Sequence, residues 1–173
     1  RVEAGEFANV MLPEHLRVTD LEARDRAAVT DLVYGTVRRM RALDYLLGRV
    51  TDRPLDDVDA PVRAALRLGT YQLVTGVPAH AAVGETVAAI RQVAPHARGY
   101  VNAVLRRTAE LGPAWPWPEG NDPAALAVRE SMPDWIVETL IRDLGADAAR
   151  RVIAAANQPG VLTLRANPRR VSP

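Results

Sequence analysis

The residues best able to do chemistry in this chain are arginines. Arg38, Arg39 and Arg41 form one cluster, Arg63 and Arg67 a second, and Arg98, Arg106 and Arg107 a third, each in a stretch free of acidic residues. On a helix Arg38 and Arg41 are i, i+3 neighbours, Arg63 and Arg67 are i, i+4, and Arg98, Asn102 and Arg106 line one face. A guanidinium stays charged and offers a planar fork of donors that matches two phosphate oxygens, so such faces suit a nucleic-acid backbone. They suit a plain solvated helix face equally well, and the pattern alone leaves both readings open.

Other chemistries find less support. The chain has no cysteine, which excludes disulfides, thiolate metal sites and cysteine nucleophiles. No two of His15, His80 and His96 stand at the i, i+4 spacing that a zinc site favours, so no metal is expected. His80 and Glu85, in VPAHAAVGETV at 77–87, have the types of a general base and its partner. A hydrogen bond at a helix start for His80 and an internal ion pair between Glu85 and Arg106 account for them without catalysis. The 11 glycines sit singly at ends and turns, apart from Gly69 and Gly35 within helices, so no Gly-rich cofactor loop is visible. No catalytic, cofactor-binding or metal residue is therefore assigned.

Composition sets the frame for these residues. With 173 residues and 48% hydrophobic content the chain can bury a sizeable core. All 22 basic residues are arginine, which coding bias in a GC-rich genome explains as readily as chemistry does. A net charge of +1 implies no polyanion partner, so any such contact must come from a local patch. No apolar run spans a bilayer and no secretory signal opens the chain, which reads as cytoplasmic without a membrane partner. Its start at Arg1 and its stop at Pro173, just after a strand-like run begins, read as excised ends.

The elements that must position the arginines have a helical period almost throughout, giving an all-α class. A first helix is expected from about Glu6 to Arg17, then a capping box from Thr19 and Glu22. The stripe from Val29 to Val50 predicts one long helix, or two with a bend near Arg41. Pro61 suits the first turn of the next helix, and further helices follow over Ala79 to Val93 and His96 to Leu111. The stretch GPAWPWPEGNDP at 112–123, with four prolines, reads as a linker pinned by Trp115 and Trp117. Ala124 to Glu130 is helical, Ser131 and Asp134 have N-cap spacing for the next helix, and Asp147 to Asn157 forms the last. Val161 to Ala166 reads as one short terminal strand.

Taken in order, RDRAAVTDLVYGTVRRMRALDYLL at 24–47, RPLDDVDAPVRAALRLGTYQLV at 53–74, VPAHAAVGETV at 77–87 and GYVNAVLRR at 99–107 resemble the front portion of the 16S rRNA methyltransferase B family, also called Sun or Fmu. That portion is similar to the antitermination factor NusB. MPDWIVETL at 132–140 and NQPGVLTLRANP at 157–168 look like the methyltransferase's connecting helices and the opening strand of its next domain, which a free-standing NusB would lack.

The resemblance implies a NusB-like helical bundle over 1–111 that binds RNA, the 112–123 linker, connecting helices over 124–158, and the start of a truncated methyltransferase region over 159–173. It implies 16S rRNA or a small-subunit precursor as one partner and the parent's own catalytic domain as another. S-adenosylmethionine and paired cysteines would belong to that domain, whose Pro-Cys segment and Gly-rich loop are absent from these residues. The fragment is thus expected not to be an enzyme, while its parent would methylate cytosine at C5. The arginine-rich first helix with which NusB proteins touch RNA would lie mainly before Arg1. With this family in view, RNA contact is assigned to Arg38, Arg39, Arg41, Arg63, Arg67, Arg98, Arg106 and Arg107. The alternative is a NusB-type antitermination factor or protein-interaction module.

Overall fold

A computed structural model describes residues 5–158 and Asn167. Among the described residues the regular structure is helical: α1 (Ala8–Val18), α2 (Ala23–Arg38), α3 (Met40–Leu47), α4 (Ala60–Val74), α5 (Ala79–Val93), α6 (Arg98–Glu110), α7 (Pro123–Arg129), α8 (Asp134–Leu144) and α9 (Ala146–Ala156). Short 3-10 turns lie at Leu55–Asp57 and Pro95–Ala97. The strand expected at 161–166 lies outside the described residues.

The first two helices are tied by polar groups more than by apolar area, since α1 buries only Leu12. The Thr19 hydroxyl donates back to the carbonyls of His15 and Leu16, each at 3.3 Å, and so closes α1. This corrects the expected capping box: Glu22 itself holds the N-cap position of α2, and Thr19 faces the other way. Arg26 of α2 crosses to the Leu16 carbonyl at 3.0 Å, adding a charged donor to an acceptor at that helix end that Thr19 also reaches. The bend expected near Arg41 falls at Arg39, whose φ of −96° and ψ of 8° separate α2 from α3.

Helix α4 is the axis of the bundle. Asp59 holds its N-cap position and Pro61 its first turn, where the missing N–H costs nothing. It buries Val62, Leu66, Arg67, Gly69, Thr70, Tyr71 and Leu73, more than one face of a helix, because α2, α3, α5 and α6 all pack against it. Helix α3, with Ala42, Leu43, Leu46 and Leu47 buried, brings Leu47 into the core that α4 shares with Val83 and Ile90 of α5 and Val101, Val104 and Leu105 of α6. Two helical glycines make these crossings close. A Cβ on Gly35 of α2 would overlap the hydroxyl end of the Tyr71 side chain, and one on Gly69 would stand 2.5 Å from Leu105 Cδ1.

A second, smaller core gathers Leu126, Ala127, Val137 and Ile153 of α7, α8 and α9, with Met132, Leu140 and Ile141 beside it. Asp122 caps α7, accepting from the amides of Ala124 at 3.1 Å and Ala125 at 3.0 Å. The Asn157 amide donates to the Glu130 carbonyl and to its carboxylate, both at 2.9 Å, closing α9 onto the end of α7. In the Pro/Trp stretch Trp115 and Trp117 are partly buried, and Arg129 donates to the carbonyl of Pro118 at 2.9 Å. The N-cap expected of Ser131 is overturned, because Pro133 occupies the N-cap position of α8.

Two glycine-to-alanine changes should have opposite signs. Gly35→Ala should lower stability by about 1–3 kcal/mol through overpacking against Tyr71. Gly84→Ala, on α5 with nothing in reach of the added methyl, should raise it by about 0.5–1 kcal/mol through helix propensity. Urea midpoints of the two variants check this, and a stabilised Gly35→Ala would refute the close crossing.

Candidate nucleic-acid interface

The eight candidate arginines do not form one surface. Arg67 lies inside, only 8% exposed, with Nε and Nη2 each 2.7 Å from the two carboxylate oxygens of Asp44 on α3. That bidentate pair is charge-assisted and joins α3 to α4. Arg63 is partly buried and donates to the carbonyls of Leu55 at 3.0 Å and Val58 at 3.1 Å, bracing the 3-10 turn before α4. As folded, both guanidinium groups serve the bundle.

Arg39 and Arg41 point to the C-terminal helices. Arg41 donates to the Met132 carbonyl and to Asp134 Oδ1, each at 2.7 Å, and Arg39 reaches the Arg129 carbonyl at 3.4 Å. Arg38, one residue earlier, is exposed at the end of α2. The first cluster is therefore divided, with two of its members bound to the chain's own oxygens.

The third cluster stays at the surface. Arg98 and Arg106 are exposed on α6, and Arg106 Nε donates to Asn102 Oδ1 at 3.3 Å, so the three line one face at successive turns. The ion pair expected between Glu85 and Arg106 does not form among the described residues, since Arg106 bonds along its own helix. Arg107 lies one step round and meets Asp52 at 3.5 Å, a long contact between two exposed groups. A groove of about 430 Å³ opens between α5 and α6, and His80, Gly84, Asn102 and Arg106 line it.

Sequence reasoning passed over two further cations near aromatic rings. Arg49 stacks over Tyr45 and Arg53 over Tyr100, each 4.8 Å from the ring centre. The first pair is an i, i+4 step along the end of α3 and was open to detection; the second joins residues far apart in the chain. An apolar groove of about 470 Å³ lies between α1, α2 and α4, lined by Met11, Val33, Val37, Ala64 and Leu68. Among the described residues no group of three His, Asp or Glu side chains is placed to hold a metal ion, and no helix is long and apolar enough to cross a membrane.

The ordered bundle around α4 coincides with the reach of a known family pattern, for the description "NusB family" matches residues 2–110. The chain belongs to the NusB family. The matched residues end with α6, so α7, α8 and α9 lie beyond the NusB unit.

Curated relatives extend the likeness across that boundary. The chain is 39% identical over 137 residues to the ribosomal RNA small subunit methyltransferase B of Thermus thermophilus, covering 79% of the chain and 31% of the relative. It is 37% identical over 163 residues to the protein of the same name from Pseudomonas putida, covering 93% and 36%. For the Sodalis glossinidius protein of that name the figures are 31% identity over 168 residues, 96% and 37%. The chain spans about a third of the length of these relatives.

The internal ties of the NusB unit are open to measurement. Arg67→Ala strands the Asp44 carboxylate and should cost about 3 kcal/mol in urea unfolding; a loss below about 1 kcal/mol would return Arg67 to the list of surface cations. Tyr71 supplies a pH signature. Burial, with the Asp31 carboxylate 3.4 Å from its hydroxyl, raises its pKa above the ordinary 10.0. The unfolded state then loses this proton first, so Tyr71 contributes stability that is complete below pH 10 and lost as pH rises through the folded value. Tyr71→Phe should flatten the fall in stability above pH 10, and an unchanged alkaline profile would contradict the assignment.

Proposed function

We propose that this NusB-family domain docks ribosomal RNA for a parent protein that methylates cytosine at C5 in the small subunit. The observation that carries the reading is the exposed face of α6, where Arg98 and Arg106 flank Asn102 beside an open groove. Its support comes from chemistry and kinship together. Exposed guanidinium forks with no interior duty bind phosphate, and the relatives that share this stretch are named for ribosomal RNA methylation. Phosphate contacts supply affinity, and the folded shape of the RNA supplies selectivity.

C5 methylation of cytosine needs a thiolate nucleophile. The chain has no cysteine, and its glycines form no cofactor loop, so these residues do not fit S-adenosylmethionine or the methyl-transfer step. In this reading the cofactor, the nucleophile and the turnover belong to other residues of the parent, and the domain alone is a targeting module. Arg107, one step round α6, extends the RNA-contacting face at its margin, and exposed Arg38 at the end of α2 offers a separate cation.

The groove between α1, α2 and α4 favours a second reading, a module that docks a protein through apolar contact. Salt separates the two. Filter binding of this chain to a small-subunit rRNA fragment should weaken steeply between 50 and 200 mM salt. Neutralising Arg98 and Arg106 together to alanine should weaken binding and reduce the log–log salt slope by about 2. Arg39 and Arg41 make poor test positions, because their loss also disturbs the C-terminal helices. A nearly flat salt dependence, or full binding by the double variant, would overturn the α6 assignment and leave the apolar groove.

A further inference from the structure

The start of α3 is finished by a residue about 90 positions further along the chain. Arg39, at its N-cap position, supplies no side-chain acceptor, and the open amides of Arg41 and Ala42 donate instead to Ser131 Oγ, at 3.0 and 3.3 Å. Ser131 holds φ at +55°, a region that a residue other than glycine adopts only when its surroundings require it. The same turn receives Arg41 on the Met132 carbonyl and on Asp134, while Arg39 meets the last residue of α7. Anionic Asp134 in the first turn of α8 and a cation at the final carbonyls of α7 are also the charges that those helix ends favour.

Around this turn lie two cores that share no buried residue. The packing between the NusB unit and the last three helices runs chiefly through α3 against α7, and the hydrogen bonds of Arg39, Arg41 and Ser131 join the two units across it. An attachment of this kind can open at lower cost than either core can unfold.

We propose that Ser131, Arg41 and Asp134 form a latch that holds the α7 to α9 unit in one orientation on the NusB bundle and releases it without unfolding α4, α5 and α6. The latch explains why a serine accepts a glycine-type conformation. Its hydroxyl serves α3, and glycine could not replace it. Opening returns Arg39 and Arg41 to the surface beside Arg38. These residues are positioning residues, and the inference stands whether or not the domain binds RNA.

The absence of cysteine makes the test direct. Spin labels on cysteines introduced at exposed Ala88 of α5 and Ala155 of α9 report the orientation of the two units by pulsed dipolar spectroscopy. The parent pair should give one narrow distance distribution. Ser131→Gly should broaden it and raise amide exchange at Arg41 and Ala42 at least tenfold, leaving exchange in α4, α5 and α6 unchanged. Local conformational preference alone predicts the opposite, a turn made firmer by glycine. Asp134→Asn, which keeps the hydroxyl cap, should give a smaller broadening that Glu138→Gln, an equal charge change on exposed α8, does not reproduce. A narrow distribution in both Ser131→Gly and Asp134→Asn would overturn the latch, as would equal broadening by Glu138→Gln. If Ser131→Gly fails to fold, the contrast between Asp134→Asn and Glu138→Gln decides alone.

Discussion

Helix α4 is packed by α2, α3, α5 and α6, and that packing sets terms for the helices around it. A buried arginine is tolerable only when its charge is matched, so Arg67 must meet Asp44, and this fixes α3 against α4. Four neighbours can crowd one helix only where side chains give way, and Gly35 and Gly69 are the points where they do. The position of α3 then decides what can be built on its first turn, which is where the C-terminal helices attach. A path of dependence thus runs from the burial of one helix to the placement of a unit that α4 does not contact directly in any of the main packings.

Much of the bundle was legible because periodicity and punctuation report local physics. Pro61 marks the start of α4, Pro78 precedes α5, and the two glycines singled out within helices are the ones that touch neighbouring side chains. The failures have one physical origin. Thr19 and Ser131 each sit in a stretch with the spacing of an N-cap, yet one closes the preceding helix and the other caps a helix elsewhere. A hydroxyl can accept or donate, and spacing along the chain does not say which helix end it will reach. Only the folded bundle brings Ser131 to α3.

The structural contacts of the arginine clusters escape the sequence for the same reason. Freedom from nearby acids in sequence suggested three open cationic faces, but Asp44 lies 23 residues from Arg67 and Asp134 lies 93 residues from Arg41. Those separations are invisible to a search for local charge. What sequence did preserve was the α6 face, because Arg98, Asn102 and Arg106 depend on a single helix whose period brings them together without help from the rest of the fold.

The exclusive use of arginine sharpens this point. A lysine ammonium is a strongly hydrated point charge, suited to the surface, whereas a guanidinium can satisfy several acceptors in a plane and remain charged when buried. Arg67 grips both oxygens of one carboxylate, and Arg41 spans a carbonyl and a carboxylate. In a chain with lysines, the division of labour between the two cations would itself have hinted at which charges are structural. Here one residue type does both kinds of work, so composition carries no such hint, and acceptor geometry has to supply it. Arginines whose forks are filled by Asp44, Asp134 or main-chain oxygens belong to the fold first. Those on α6 can exchange their contacts for phosphate at little cost to the bundle, because no helix depends on them for its position.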